Sequence, residues 1–122
     1  MIKNRRHKMN AIRSVCGQGH NHPSKGESRR CDVLHLMQRA GEISDLRVQP
    51  SIQLVPGFLY AADFSYLDGG RAIVEDWKGL ITQRFRDICR MWPHHGDGVL
   101  RVTGLSGGRT VVTREIEGAK NG

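Results

Sequence analysis

The tightest constraint on this chain is the tripeptide Asp68-Gly69-Gly70, set between two strand-like runs, Leu59–Leu67 and Arg71–Lys78. Adjacent glycines between such runs signal a short hairpin, because its tightest turn needs positive φ at both central residues. A hairpin fixes register, and register decides which side chains meet. With Gly69-Gly70 as the loop, Asp68 faces Arg71 and Asp63 faces Asp76, with Cβ atoms about 4.5–5.5 Å apart on one face. With Asp68-Gly69 as the loop, the two aspartates become diagonal neighbours but keep that face. Only a loop with an odd residue count would set Glu75 against Asp63. Lys78 follows Asp76 by two residues and projects on the same side.

Two carboxylates and a lysine therefore converge at one end of a ribbon. Like charges at that separation raise each other's pKa, and a divalent cation removes the conflict. Oxygen donors in this number suit Mg²⁺, which keeps several waters and takes only one or two carboxylates plus phosphate. The lysine is then placed to orient or deprotonate water, or to neutralise a phosphoryl oxygen. The plainer alternative is a charge cluster in which Lys78 simply bridges the two acids. Glu27 carries the same choice. Ser24 followed three residues later by Glu27 is a capping box, which is a complete explanation by itself. Yet Glu27 also lies one turn from the apolar Cys31, so it can add a third carboxylate facing the sheet.

The remaining elements follow from periodicity. Ser24 to Ala40 predicts a helix with Cys31, Val33, Leu34, Leu36, Met37 and Ala40 as its apolar stripe and Gly41 as its C-terminal cap. Arg47 to Leu54 alternates as a strand, with Pro50 placing it at an edge or bulge. Pro56-Gly57 is a turn. Thr82 to Trp92 predicts a second helix, with Phe85, Ile88, Cys89 and Trp92 on one face and Pro93 closing it. Val99–Thr103 and Thr110–Glu115 are further strands. The order specifies an α/β domain, with the strand after the second helix parallel to its partner.

Charge is concentrated at the start. Lys3, Arg5, Arg6, Lys8, Arg13 and Lys25 meet no acid before Glu27, in a chain of 122 residues whose net charge is +7. Residues 1–23 read as a basic, loop-rich arm suited to polyanions, since each phosphate contact releases condensed counterions. A solubility tail is the other reading. Composition, at 38% hydrophobic and 25% charged, excludes wholesale disorder. No run approaches the roughly 20 apolar residues of a membrane helix, and the start lacks a secretory signal. A cytoplasmic protein without a membrane partner is the expectation. Three widely spaced cysteines argue against a disulfide scaffold.

Together, Glu27 at the first helix, Asp63 in Tyr60-Ala61-Ala62-Asp63-Phe64, and Asp76-Trp77-Lys78 resemble the PD-(D/E)XK nuclease superfamily. The resemblance is strongest to small phage and prophage proteins with Gly-Glu-Ile-Ser-Asp-Leu, here Gly41–Leu46, followed by a Gln-Pro pair, here Gln49-Pro50. Order and spacing are also similar to Holliday-junction resolvases of the T7 endonuclease I type. The resemblance covers residues 24–103, roughly, and implies a restriction-endonuclease-like mixed β-sheet flanked by helices, in α-β-β-β-α-β order; the domain is expected over residues 24–116, with residues 117–122 a disordered tail. The resemblance also implies a Mg²⁺-dependent DNA endonuclease, with Mn²⁺ able to substitute. Glu27, Asp63 and Asp76 would ligate the metal, with the Trp77 backbone carbonyl a further ligand and Lys78 the catalytic lysine. Arg84, Arg86 and Arg90, together with Lys25 and the arm, would hold DNA phosphates, and a homodimer would embrace a junction. Ala62 replaces the signature proline, and Asp76 stands where Glu is commoner, with Glu75 beside it. A catalytically silent nucleic-acid-binding protein is the alternative.

Cys16, His20, His22 and Cys31 offer zinc-type ligands, but their spacing fits no familiar finger, and Cys31 belongs to the apolar face of the first helix. Loop residues beside a core cysteine, without zinc, is the expectation. His94-His95 is read as a polar turn.

Overall fold

A computed structural model describes residues 14–119. The expected arm residues Lys3, Arg5, Arg6, Lys8 and Arg13 lie outside that range. The elements in chain order are β1 (Ser14–Val15), β2 (Asn21–His22), α1 (Lys25–Arg39), β3 (Ser44–Val48), β4 (Ser51–Val55), β5 (Phe58–Ala61), β6 (Phe64–Asp68), β7 (Arg71–Trp77), α2 (Gln83–His95), β8 (Val99–Ser106) and β9 (Arg109–Glu117). Five strands form one mixed sheet in the order β3-β6-β7-β8-β9, and the pairs β1-β2 and β4-β5 form separate two-stranded ribbons. No helix among the described residues is long and apolar enough to cross a membrane.

Local chemistry explains the helices. Ser24 caps α1, its hydroxyl accepting from Glu27 N at 3.2 Å. At the other end Gly41 takes φ +81, while Gly41 N and Glu42 N donate to the Gln38 and Met37 carbonyls at 3.0 and 2.9 Å. That is the Schellman closure expected of the glycine. The buried stripe is narrower than predicted. Cys31 and Leu34 are fully buried, but Val33 and Leu36 point to solvent. Thr82 caps α2, accepting from Phe85 N at 3.2 Å. The helix then runs through Pro93 to His95, a turn further than predicted, so His94-His95 ends a helix and is not a loop.

Alternation along β7 divides the core. Ile73, with Phe64, Tyr66 and Val99, packs under Cys31 and Leu34 of α1. Val74, with Leu100 and Val102, packs under Phe85, Ile88 and Trp92 of α2. Truncating Trp92 or Phe85 to Ala would remove about 3–5 kcal/mol of that second layer. The strand after α2 is parallel to β7 as expected, with Ile73 opposite Val99 and Trp77 opposite Thr103.

Two predicted strands are each broken in two. Arg47–Leu54 splits at Gln49-Pro50 into β3 and β4, which belong to different sheets. Gln49 turns that corner with φ +57, its N–H donating to the Asp63 carbonyl at 2.8 Å and its side-chain amide to the Asn21 carbonyl at 2.9 Å. Leu59–Leu67 splits at Ala62-Asp63 into β5 and β6. The chain changes sheet twice, and both breaks lie beside Asp63. At the far end β9 extends through Glu117, and Gly118 N bonds the Gly98 carbonyl at 2.7 Å, so these two residues are part of the fold. At the near end residues 14–22 form a hairpin against α1, more ordered than the expected loop-rich arm.

Candidate active site

The β6–β7 register is the one set by a Gly69-Gly70 loop. Both glycines have positive φ (60° and 83°), and pairing runs from Asp68↔Arg71 to Phe64↔Glu75. One step further lie Asp63 and Asp76. There, contacts through side chains take over from the ladder. Asp63 N donates to Asp76 Oδ1 at 3.1 Å, and Asp63 Oδ2 accepts from Trp77 N at 2.8 Å. Asp76 Oδ2 also accepts from the Tyr60 hydroxyl. Lys78 Nζ stands 3.7 Å from Asp76 Oδ2 and 4.4 Å from the centroid of the Phe85 ring. The lysine is thus held against an aromatic face beside the acids, with a quarter of its side chain exposed.

The electrostatics are strained. Burial, the Asp76 charge and the Glu27 charge push the Asp63 carboxyl up to about 9. Burial also raises Asp76, against the pull of Lys78 and the Tyr60 hydroxyl. Tyr60 itself is held neutral as a donor by burial and by Asp76. Without a cation the two acids cannot both ionise easily.

Glu75 faces the other way. Arg30 grips its two oxygens at 2.6 and 3.0 Å, Tyr66 OH donates at 2.5 Å, and Thr103 Oγ1 donates at 3.0 Å. With its lone pairs filled, it is not available as the third acid. Glu27 is buried at the start of α1, and its Oε2 bonds His22 Nδ1 at 2.6 Å. The reciprocal half of the capping box is thereby replaced by a contact to the hairpin. Gly26 lies so close to Trp77 that a Cβ there would sit 2.2 Å from the indole. This contact seats the start of α1 on the end of β7, which brings Glu27 within electrostatic reach of Asp63. The Trp77 indole N–H and His22 Nε2 are buried without a hydrogen-bond partner among the described residues.

A groove of about 280 Å³ lined by Tyr60, Lys78, Thr82, Arg84 and Phe85 opens beside the lysine. Lys25, Arg84, Arg86 and Arg90 are all exposed. Arg84 is partly committed to the fold, donating to the Leu59 carbonyl at 2.8 Å and lying over Phe58. Arg90 pairs with Asp87. Arg86 and Arg90 line a second hollow of about 420 Å³ with Arg114, a cation that sequence reasoning did not single out. Tyr60 was missed too, although its place three residues before Asp63 was the available signal.

A separate cluster lies in the β1–β2 hairpin. Potential ligand atoms of Cys16, His20, His22 and Cys31 all fall within 4.8 Å of one another, the only such group among the described residues. Cys31 is in the α1 core, as its pattern predicted, but the loop residues are drawn to it rather than left in solvent.

A family described as "Protein of unknown function (DUF1064)" matches residues 6–99 of the chain. No curated protein and no solved structure matches it.

Proposed function

We propose that this chain, which belongs to the DUF1064 family, is a metal-dependent DNA endonuclease of the PD-(D/E)XK type, acting on branched DNA in phage DNA metabolism. The observation that carries the reading is the segregation on β7. Asp76 and Lys78 share a face with Asp63, and Lys78 borders an open groove, while Glu75, as buried as Asp76, is consumed by structural bonds. A mixed sheet with a helix on each face agrees with a restriction-endonuclease-like core.

The donor set fits a hard divalent cation. Asp63 and Asp76 are oxygen ligands forced together in a buried corner and held too protonated for their type. They would hold Mg²⁺ or Mn²⁺, with the Trp77 carbonyl as a further oxygen; Glu27, with Oε2 on His22, is not gathered with the pair and would have to turn toward them to join. The ion supplies charge stabilisation at the phosphate and lowers the pKa of water. The chain's own groups do the rest. Lys78 Nζ, fixed between Asp76 and Phe85, steadies a phosphoryl oxygen or moves a proton at the attacking water. Tyr60 keeps one Asp76 oxygen oriented. Arg86, Arg90 and Lys25 hold flanking phosphates, contacts that position DNA without reading its sequence. A homodimer would present two such sites to a junction.

The test is a panel of four-way, flap, nicked and linear DNA incubated with Mg²⁺ or with chelator. Metal-dependent cuts near the branch, lost in Lys78→Ala and Asp76→Asn, are expected. DNA binding without any cut in the wild type would instead favour the silent binding protein.

A further inference from the structure

We propose that Cys16, His20, His22 and Cys31 hold a structural zinc ion, in a site separate from the carboxylate pair. The spacing Cys-x3-His-x-His-x8-Cys argued against this in the sequence, because it matches no familiar finger. The fold supplies what the spacing hides. Three ligands come from a tight hairpin and the fourth from the second turn of a helix packed on it.

The distances fit the ion. Zinc bonds of about 2.3 Å to sulfur and 2.0–2.1 Å to nitrogen give a tetrahedral S···N edge of about 3.6 Å. His20 Nδ1 lies 3.4 Å from Cys16 Sγ and 3.5 Å from Cys31 Sγ. His22 Nε2 completes the set. It is fully buried and has no partner among the described residues, which is expensive for an imidazole nitrogen unless something is meant to bind there. Its other nitrogen is taken by Glu27 at 2.6 Å, the carboxylate contact that commonly orients a metal-bound histidine. His35 Nδ1 also lies 3.6 Å from Cys31 Sγ, but it is bonded to the Cys31 carbonyl at 2.8 Å, and His35 falls outside the group of four.

The hairpin is shaped for the purpose. Cys16 N bonds the His20 carbonyl at 3.0 Å, Gly19 turns with φ +87, and His20 N points at Cys16 Sγ at 3.4 Å. Gly17 N is pinned to Asp32 of α1 at 2.7 Å. Among residues 14–22 only Cys16 and His22 are buried, too little apolar surface to fasten the hairpin by itself. Thiolates and imidazoles in a tetrahedron favour zinc over the hard cation proposed for the acids. With all four positions supplied by the protein, the site is closed and structural.

The experiment measures metal in the full chain purified without chelator, then replaces it with Co²⁺. One zinc per chain is expected, together with a cobalt spectrum of tetrahedral type and a thiolate charge-transfer band. Cys31→Ser and His22→Gln should lower retained zinc at least about tenfold, whereas Cys89→Ser, a buried cysteine in the other core layer, should leave it unchanged. If a variant fails to fold, the Co²⁺ titration of wild-type apo-protein still decides. Absence of zinc after refolding in its presence, with no tetrahedral cobalt spectrum, overturns the proposal. So does a Cys16–Cys31 disulfide found by thiol counting in the native protein. DNA cleavage is not a readout here, so this result and that of the nuclease assay stand apart.

Discussion

Glu75 and Asp76 are consecutive on one strand and equally buried, 0% and 1% exposed. Toward α1, Glu75 meets Arg30, Tyr66 and Thr103, and its charge is balanced. Toward α2, Asp76 accepts from Asp63 N and the Tyr60 hydroxyl and has one lysine at 3.7 Å, but it shares that corner with the Asp63 carboxyl, and the two acids push against each other. Burial alone therefore does not mark a reactive acid. What separates the two faces is the account of positive charge and donors around each group. A buried carboxylate crowded by a second one, with a single lysine between two acids, is a candidate for a partner that arrives from outside.

The sharpest way to break this contrast is to remove a cation from each face. Lys78→Ala should lower cleavage by about 10²–10⁴-fold, with little change in urea midpoint. Arg30→Ala should do the reverse. It strands a buried carboxylate, and a loss of about 3–5 kcal/mol in unfolding free energy is expected by urea denaturation. If Arg30→Ala abolished cleavage without destabilising the chain, the two faces would have been misassigned.

A pH series sharpens the same comparison. The folded Asp63 carboxyl is raised to about 9 from an ordinary 3.8, so the folded chain keeps a proton that the unfolded chain gives up. Its contribution is full below the ordinary value and is lost as pH climbs toward 9, at up to about 1.4 kcal/mol per pH unit. Thermal melts in chelator should show that decline, and Mg²⁺ or Asp63→Asn should flatten it. The smallest effect is expected from Thr103→Val, which removes one donor from Glu75. About 1.5–3 kcal/mol of stability should go, with cleavage by the remaining folded protein unchanged.

Much of this was legible before any coordinates. The double glycine set the β6–β7 register, and two-residue periodicity then placed Asp76 and Lys78 together. The cap at Ser24 and the closure at Gly41 followed from local hydrogen-bonding chemistry alone. The breaks at Gln49-Pro50 and Ala62-Asp63 were not legible. An alternating run reads the same whether it stays in one sheet or crosses to another, because the choice is made by distant packing. The balance on Glu75 was hidden for a similar reason, since Arg30 is 45 positions away. The gathering of Cys16, His20, His22 and Cys31 was not legible from their spacing. Spacing rules describe ligands within one local motif, whereas Cys31 is delivered by a helix.

The corner at Gln49 carries a consequence for how the molecule loosens. A left-handed backbone at a non-glycine residue costs roughly 1–2 kcal/mol, and here it lets one residue clasp both the Asp63 carbonyl and the Asn21 carbonyl. Asn21 precedes the histidine that touches Glu27. Fraying of the small hairpin would therefore release a latch on the acidic corner as well, so that the two open as a single cooperative unit. Amide protons at Gln49 and Trp77 should then trade with solvent at one common rate.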